Sequence, residues 1–129
     1  MSIGKLAYVA YPVKDWAGAK KFYGETLGMP VAWFMGDEAG WMEFGTDEGA
    51  HLAISLVRDG DGQTVNPNGG AVAVFAVDDA VKTVEELRAQ GVKCEDPIGI
   101  PNMTTYATFY DPEGNKLQIA GAPPAAPAT

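Results

Sequence analysis

Positive charge, cysteine and histidine are all scarce in this chain, and each scarcity removes a class of function. Nine lysines and arginines stand against seventeen aspartates and glutamates, a net charge of −8, whereas a protein that grips nucleic acid concentrates Lys and Arg to displace counterions from phosphates. No nucleic-acid partner is expected. The lone Cys94 leaves no internal disulfide, and its only adjacent cation is Lys93, so it reads as structural rather than as an activated thiol. The single histidine, His51, has no convincing nucleophile partner, and no Gly-rich phosphate loop is present either, so neither a Ser-His-Asp set nor a nucleotide cradle assembles. Long apolar runs are missing as well. The longest are strand-length and broken by turns, which argues against a membrane span, and Met1 to Ala10 lacks the extended apolar stretch and cleavage site of a signal peptide. With no bridge to form, a cytoplasmic protein is expected.

What is present suits one compact domain: 129 residues, 47% hydrophobic and 20% charged. Lys5 to Tyr11 reads as a strand ending at Pro12. Asp15 is then a helix N-cap, followed by Trp16, Ala19, Phe22 or Tyr23, and Leu27 at helical spacing, with Gly28 placed to stop the helix. Strands are expected at Pro30 to Met35, Trp41 to Gly45 and His51 to Val57, joined by polar turns. Residues 58–70, dense in Asp, Gly, Asn and Pro, read as an exposed connection. The second half repeats the plan: a strand at Ala71 to Val77, and a helix capped by Asp78 or Asp79 with Ala80, Val84 and Leu87 as its apolar stripe, ending at Gly91. A short strand at Val92 to Glu95 and a turn-rich interval from Pro97 to Pro101 follow. Beyond Gly121 the tail, 122–129, holds only Ala, Pro and Thr and reads as disordered or loosely draped.

The clearest stretch is Asp111-Pro112-Glu113-Gly114-Asn115-Lys116-Leu117-Gln118-Ile119. Pro112 presets φ for a turn, and Gly114 takes the positive φ that closes it, between strands Tyr106 to Tyr110 and Lys116 to Ala120. The halves also match each other: Val13-Lys14-Asp15 falls on Val77-Asp78-Asp79, and Gly28 on Gly91, an offset of about 64 residues. Modules of about 5–57 and 71–120 result, too small to cover both faces of a sheet alone, so the halves are expected to pack together.

The duplicated units, the F-Y and L-G near the end of the first helix (Val13 to Gly28), the V-D-D helix start (Val77 to Asp79) and the terminal D-P-E-G hairpin together resemble the vicinal oxygen chelate superfamily. That superfamily includes glyoxalase I, extradiol dioxygenases and bleomycin resistance proteins. The resemblance implies an α+β fold of two tandem βαβββ modules forming a curved mixed sheet around a cleft, helices outside, and a homodimer. It also implies where a metal would sit in metal-dependent members: on the first and last strand of each module. Those positions here are Tyr8, Val72, Gln118 and about Ala53, with Ser55 if the register slips. Val72 and Ala53 offer no donor, and a neutral Gln amide and an un-ionised Tyr are poor ligands. No metal and no other cofactor is therefore expected.

His51 lies two residues before Ala53, on the same strand face, and reads either as a cleft residue or as a partly exposed hydrogen-bonder. Strand alternation puts Leu6, Tyr8 and Ala10 on one face with Val72, Val74 and Ala76 as their counterparts, while Ala7, Val9 and Phe75 face helices. Trp33, Trp41, Phe44 and Tyr106 are candidate aromatic walls. Glu43 is the one acid in the interior of an expected strand: solvent exposure is its ordinary fate, and burial would raise its pKa and make it a candidate base.

The expected function is a metal-free protein holding an apolar or aromatic small molecule in the cleft between modules, with Tyr8, Ala53, Val72, Gln118, His51, Trp33, Trp41 and Tyr106 lining it. The acidic balance serves mainly solubility, with a cationic ligand as its minor reading. The alternatives are a lyase, isomerase or dioxygenase of the superfamily with an atypical or acid-base site, and a protein-interaction role with a vestigial cleft.

Overall fold

In a computed structural model, residues 7–60 and 72–125 are described. The expectations for Lys5, Leu6, Ala71, most of the 58–70 connection and the end of the tail lie outside them. The chain divides into two compact units, Met1–Pro67 and Asn68–Thr129. Each is a βαβββ module with one four-stranded mixed sheet, so the two tandem modules of the α+β fold are present.

In the first unit, strand β1 (Tyr8–Val13) leads into helix α1 (Trp16–Lys21), and strands β2 (Val31–Phe34), β3 (Trp41–Phe44) and β4 (His51–Leu56) complete the sheet in the order β1-β4-β3-β2. The Asp15 side chain accepts from Gly18 N at 3.1 Å and starts α1. The helix then widens into a π-helical turn at Phe22–Thr26, with Leu27 N donating to Phe22 O at 2.9 Å. The wider turn puts the neighbours Phe22 and Tyr23 both into the core. Tyr23 packs against Phe44, and Tyr11, Val13 and Ile54 are buried as well; each large side chain so removed from water contributes about 1.5–3 kcal/mol. Strand β1 runs through Pro12, beyond the end read from the sequence, because β1 is an edge strand and a missing N–H there costs no ladder bond.

In the second unit, strand β5 (Ala73–Ala76), helix α2 (Ala80–Ala89) and strands β6 (Ile98–Ile100), β7 (Thr104–Tyr110) and β8 (Lys116–Gly121) form the order β5-β8-β7-β6. Asp79 is the N-cap, its carboxylate accepting from Lys82 N at 3.1 Å as Asp15 does from Gly18, 64 positions earlier. Ala80, Val84 and Leu87 are the buried stripe. One expectation is corrected here. The module's second strand is Ile98–Ile100, inside the interval read as turns, while Val92 to Glu95 contributes only the isolated bridge Cys94↔Phe109. Pro97 and Pro101 bracket Ile98-Gly99-Ile100 and signal turns in the sequence, but they flank rather than interrupt the three-residue pairing with β7.

The D-P-E-G hairpin forms with Gly114 at φ 88°. The buried Asp111 carboxylate organises it, accepting from Glu113 N at 3.0 Å, Asn115 N at 2.8 Å and the Asn115 side chain at 2.8 Å.

Candidate functional site

Strand pairing decides what each sheet presents away from its helix. In the first unit, Tyr8 and Ala10 of β1 stand level with His51 and Ala53 of β4; Glu43 and Trp41 of β3 oppose Ala53 and Ser55, and Trp33 of β2 opposes Glu43. Period-two alternation puts all of these on one face, opposite the one carrying Leu52, Ile54, Met42 and Phe44. The helix-free face is thus where Tyr8, Trp33, Trp41, His51 and Ala53 meet.

Tyr8 and Trp41 pack edge to face, ring centroids 5.2 Å apart at 80°. By register, the point midway between them is Ala53, whose exposure is 0%. The small side chain at 53 lets the two rings close above it. Trp33 remains open, at 54% exposure, and Tyr8 at 47%.

Glu43 departs from the ordinary fate of a strand glutamate, being buried rather than solvent-exposed. Trp41 Nε1–H donates to its Oε2 at 2.8 Å, and His51 Nδ1–H to its Oε1 at 2.9 Å. These bonds, Trp41's first and His51's second, hold the carboxyl below its usual value and outweigh the burial that would raise it. The raised carboxyl that a general base requires is therefore not found. At its other end His51 Nε2 lies 3.1 Å from Thr46 O. Both ring nitrogens thus face oxygen atoms at hydrogen-bonding distance.

On the helix-free face of the second unit, Gln118 of β8 pairs with Val74 of β5 and Thr108 of β7, and Tyr106 pairs with Ala120 and Ile98. Val72 precedes β5, half-buried, and shares this face by alternation with Val74. Gln118 Nε2–H donates to Thr108 Oγ1 at 3.1 Å, and its Oε1 accepts no hydrogen bond among the described residues. The other side of this sheet carries Phe75, Ala107, Phe109, Leu117 and Ile119.

A metal of the kind the resemblance implies does not fit these residues. Among the described residues no three of His, Cys, Asp and Glu are grouped to hold an ion. Ala53 and Val72 lack donor atoms, Tyr8 offers only a phenol, and Gln118 supplies a neutral amide. Sequence reasoning missed the anchoring of Glu43 by Trp41, although the W-M-E spacing places both on one strand face. It also missed Thr108, whose partnership with Gln118 depends on a register that the hairpin turn sets. Cys94, half-buried, has its thiol pushed up by burial and is no candidate nucleophile.

Against known proteins, the family described as Glyoxalase/Bleomycin resistance protein/Dioxygenase superfamily has a model that matches residues 5–119. The uncharacterized protein YraH of Bacillus subtilis (strain 168) is 27% identical over 127 residues, which span 89% of this chain and 96% of that protein. The crystal structure of TnmS3, an antibiotic binding protein from Streptomyces sp. CB03234, is similar with a TM-score of 0.71 and 26% identity, over 94% of this chain and 98% of that one. The lactoylglutathione lyase from Agrobacterium tumefaciens shares the fold, with a TM-score of 0.70 at 15% identity over 95% of this chain and 96% of its own.

Proposed function

The chain belongs to the Glyoxalase/Bleomycin resistance protein/Dioxygenase superfamily, and from that premise we propose that it binds an apolar or aromatic small molecule without a metal, on the helix-free face of its first unit. The observation that carries this reading is the Tyr8–Trp41 pair closed over Ala53. A first- and a last-strand position at which metal-dependent members bear ligands are here used for an aromatic surface. Trp33, half exposed on the same face, extends it, and flat rings of this kind offer large contact area at small entropic cost. Glu43 and His51 then act as scaffold: they fix the Trp41 ring through its Nε1–H, so that the surface is already formed before a ligand arrives. Similarity to an antibiotic binding protein supports small-molecule binding.

Acid–base catalysis is the second reading, and one observation favours it, the contact between Glu43 and His51. A carboxyl held low by its hydrogen bonds makes Glu43 a poor proton acceptor, so binding without turnover is the reading preferred. The test is elemental analysis of the purified protein after incubation with Mn²⁺, Fe²⁺, Ni²⁺ and Zn²⁺ and dialysis, followed by a thermal-shift screen of planar aromatic compounds. Stabilisation by an aromatic compound with no retained metal is the expected result. Stoichiometric retained metal would overturn it.

A further inference from the structure

We infer that the second unit carries a separate ligand site on the helix side of its sheet, a cavity between the start of α2 and the segment after β8, suited to a small organic ammonium ion. The cavity has a volume of about 370 Å³, with Asp78, Asp79 and the first turn of α2 on one side, Thr105 below, and residues 122–125 on the other. This lies near the lower end of small-molecule sites.

The fold makes the space with a row of small residues. Gly121 of β8 pairs with Thr105 of β7, which pairs in turn with Gly99 of β6. At one end of the row, a Cβ on Gly121 would stand 2.8 Å from Val77 O and 3.3 Å from Ala80 N, so the start of α2 sits directly on that glycine. At the other end, Pro124 Cγ lies 3.0 Å from where a Cβ of Gly99 would be. The chain after β8 therefore crosses the row from Gly121 to Gly99, and the cavity is what remains between it and the helix.

Thr105 points to a ligand. It is 8% exposed, and its hydroxyl makes no hydrogen bond among the described residues. Every fully enclosed side-chain polar atom among those residues has a partner, so this unpaired hydroxyl must be reached from outside, and the cavity it lines is the opening. Charge then selects the class of ligand. Two carboxylates line the cavity and no lysine or arginine does. Asp79 commits Oδ1 to capping Lys82 N, and the Asp78 carboxylate takes no hydrogen bond among the described residues. Both carboxylates are exposed, so an anion would meet their repulsion and a neutral ligand would gain no charge pairing from them. An ammonium group donates three hydrogens, matching the Asp78 carboxylate, the free oxygen of Asp79 and the Thr105 hydroxyl. A compact apolar body suits Val81, Pro123 and Pro124.

The experiment is an amide-resolved NMR titration of the full chain with cyclohexylammonium, set against cyclohexanol and cyclohexanecarboxylate at equal concentration. Saturable shifts centred on Val81, Thr105 and Ala122 are expected with the ammonium alone, weakened on the order of tenfold in Asp78→Asn, which leaves the Asp79 cap in place. Thr105→Val, nearly isosteric, should weaken binding too while keeping the amide pattern of the second unit. Absence of saturable shifts, equal shifts with the alcohol or the acid, or unchanged affinity in both variants would overturn the inference.

Discussion

His51 and Glu43 meet diagonally across β4 and β3, the imidazole Nδ1–H donating to the carboxylate at 2.9 Å while Trp41 closes the other carboxylate oxygen at 2.8 Å. Because these bonds hold the folded carboxyl below its usual value, Glu43 adds stability that is fully present above the carboxyl value of the unfolded chain. That stability is lost as pH falls through the lower folded value. Thermal melts from about pH 6 down to about pH 2.5 test this. Glu43→Gln should be less stable than the native chain at the upper end, and the gap should narrow on acidification. A gap independent of pH would contradict the assignment.

Gly40 lies at φ +67°, and a Cβ there would come 2.6 Å from Leu56 Cβ, whereas Gly28, at φ +70°, has nothing within 4 Å. Gly40→Ala therefore adds a collision with Leu56 to the backbone strain that Gly28→Ala carries alone. Roughly 2–4 kcal/mol is expected for the first and about 1 kcal/mol for the second, by urea unfolding. Equal losses would show that the β2–β3 turn yields without disturbing Leu56.

Removing Asp111 should be costly out of proportion to its place in a turn. It is buried and accepts hydrogen bonds from Glu113 N, Asn115 N and the Asn115 side chain. Asp111→Ala leaves those donors unpaired, for an expected loss of about 2–4 kcal/mol. A change under about 0.5 kcal/mol, the range of ordinary surface substitutions, would mean that the turn holds without its anchor.

Trp33 separates stability from binding. Half exposed on the edge strand β2, it contributes little to the core, so Trp33→Ala should shift the denaturant midpoint only slightly while weakening an aromatic ligand on the order of tenfold. A large loss of stability with unchanged affinity would place Trp33 in packing rather than in recognition.

The duplication was readable because it rests on local chemistry: Asp15 and Asp79 cap helices wherever they stand before an apolar stripe, and Asp111 to Asn115 closes a turn by itself. Face assignments for β1 and β5 followed from period-two alternation. The short strand Ile98–Ile100 was not readable, since three residues carry too little pattern to outweigh flanking prolines. Nor was the burial of Glu43, which depends on Trp41 Nε1–H and His51 arriving from the same face at hydrogen-bonding distance. The crossing of the chain after Gly121 toward Gly99 was hidden for a similar reason. An Ala-Pro tail has no periodicity, and its docking depends on the absence of a side chain on another strand.

Metal-free recognition by the Tyr8–Trp41–Trp33 face is tested most directly by following tryptophan emission while chelator-treated protein is titrated with planar aromatic compounds. Saturable one-to-one quenching that persists in excess chelator and weakens in Trp33→Ala is the expected result. Binding or turnover that appears only when a divalent metal is restored would contradict it.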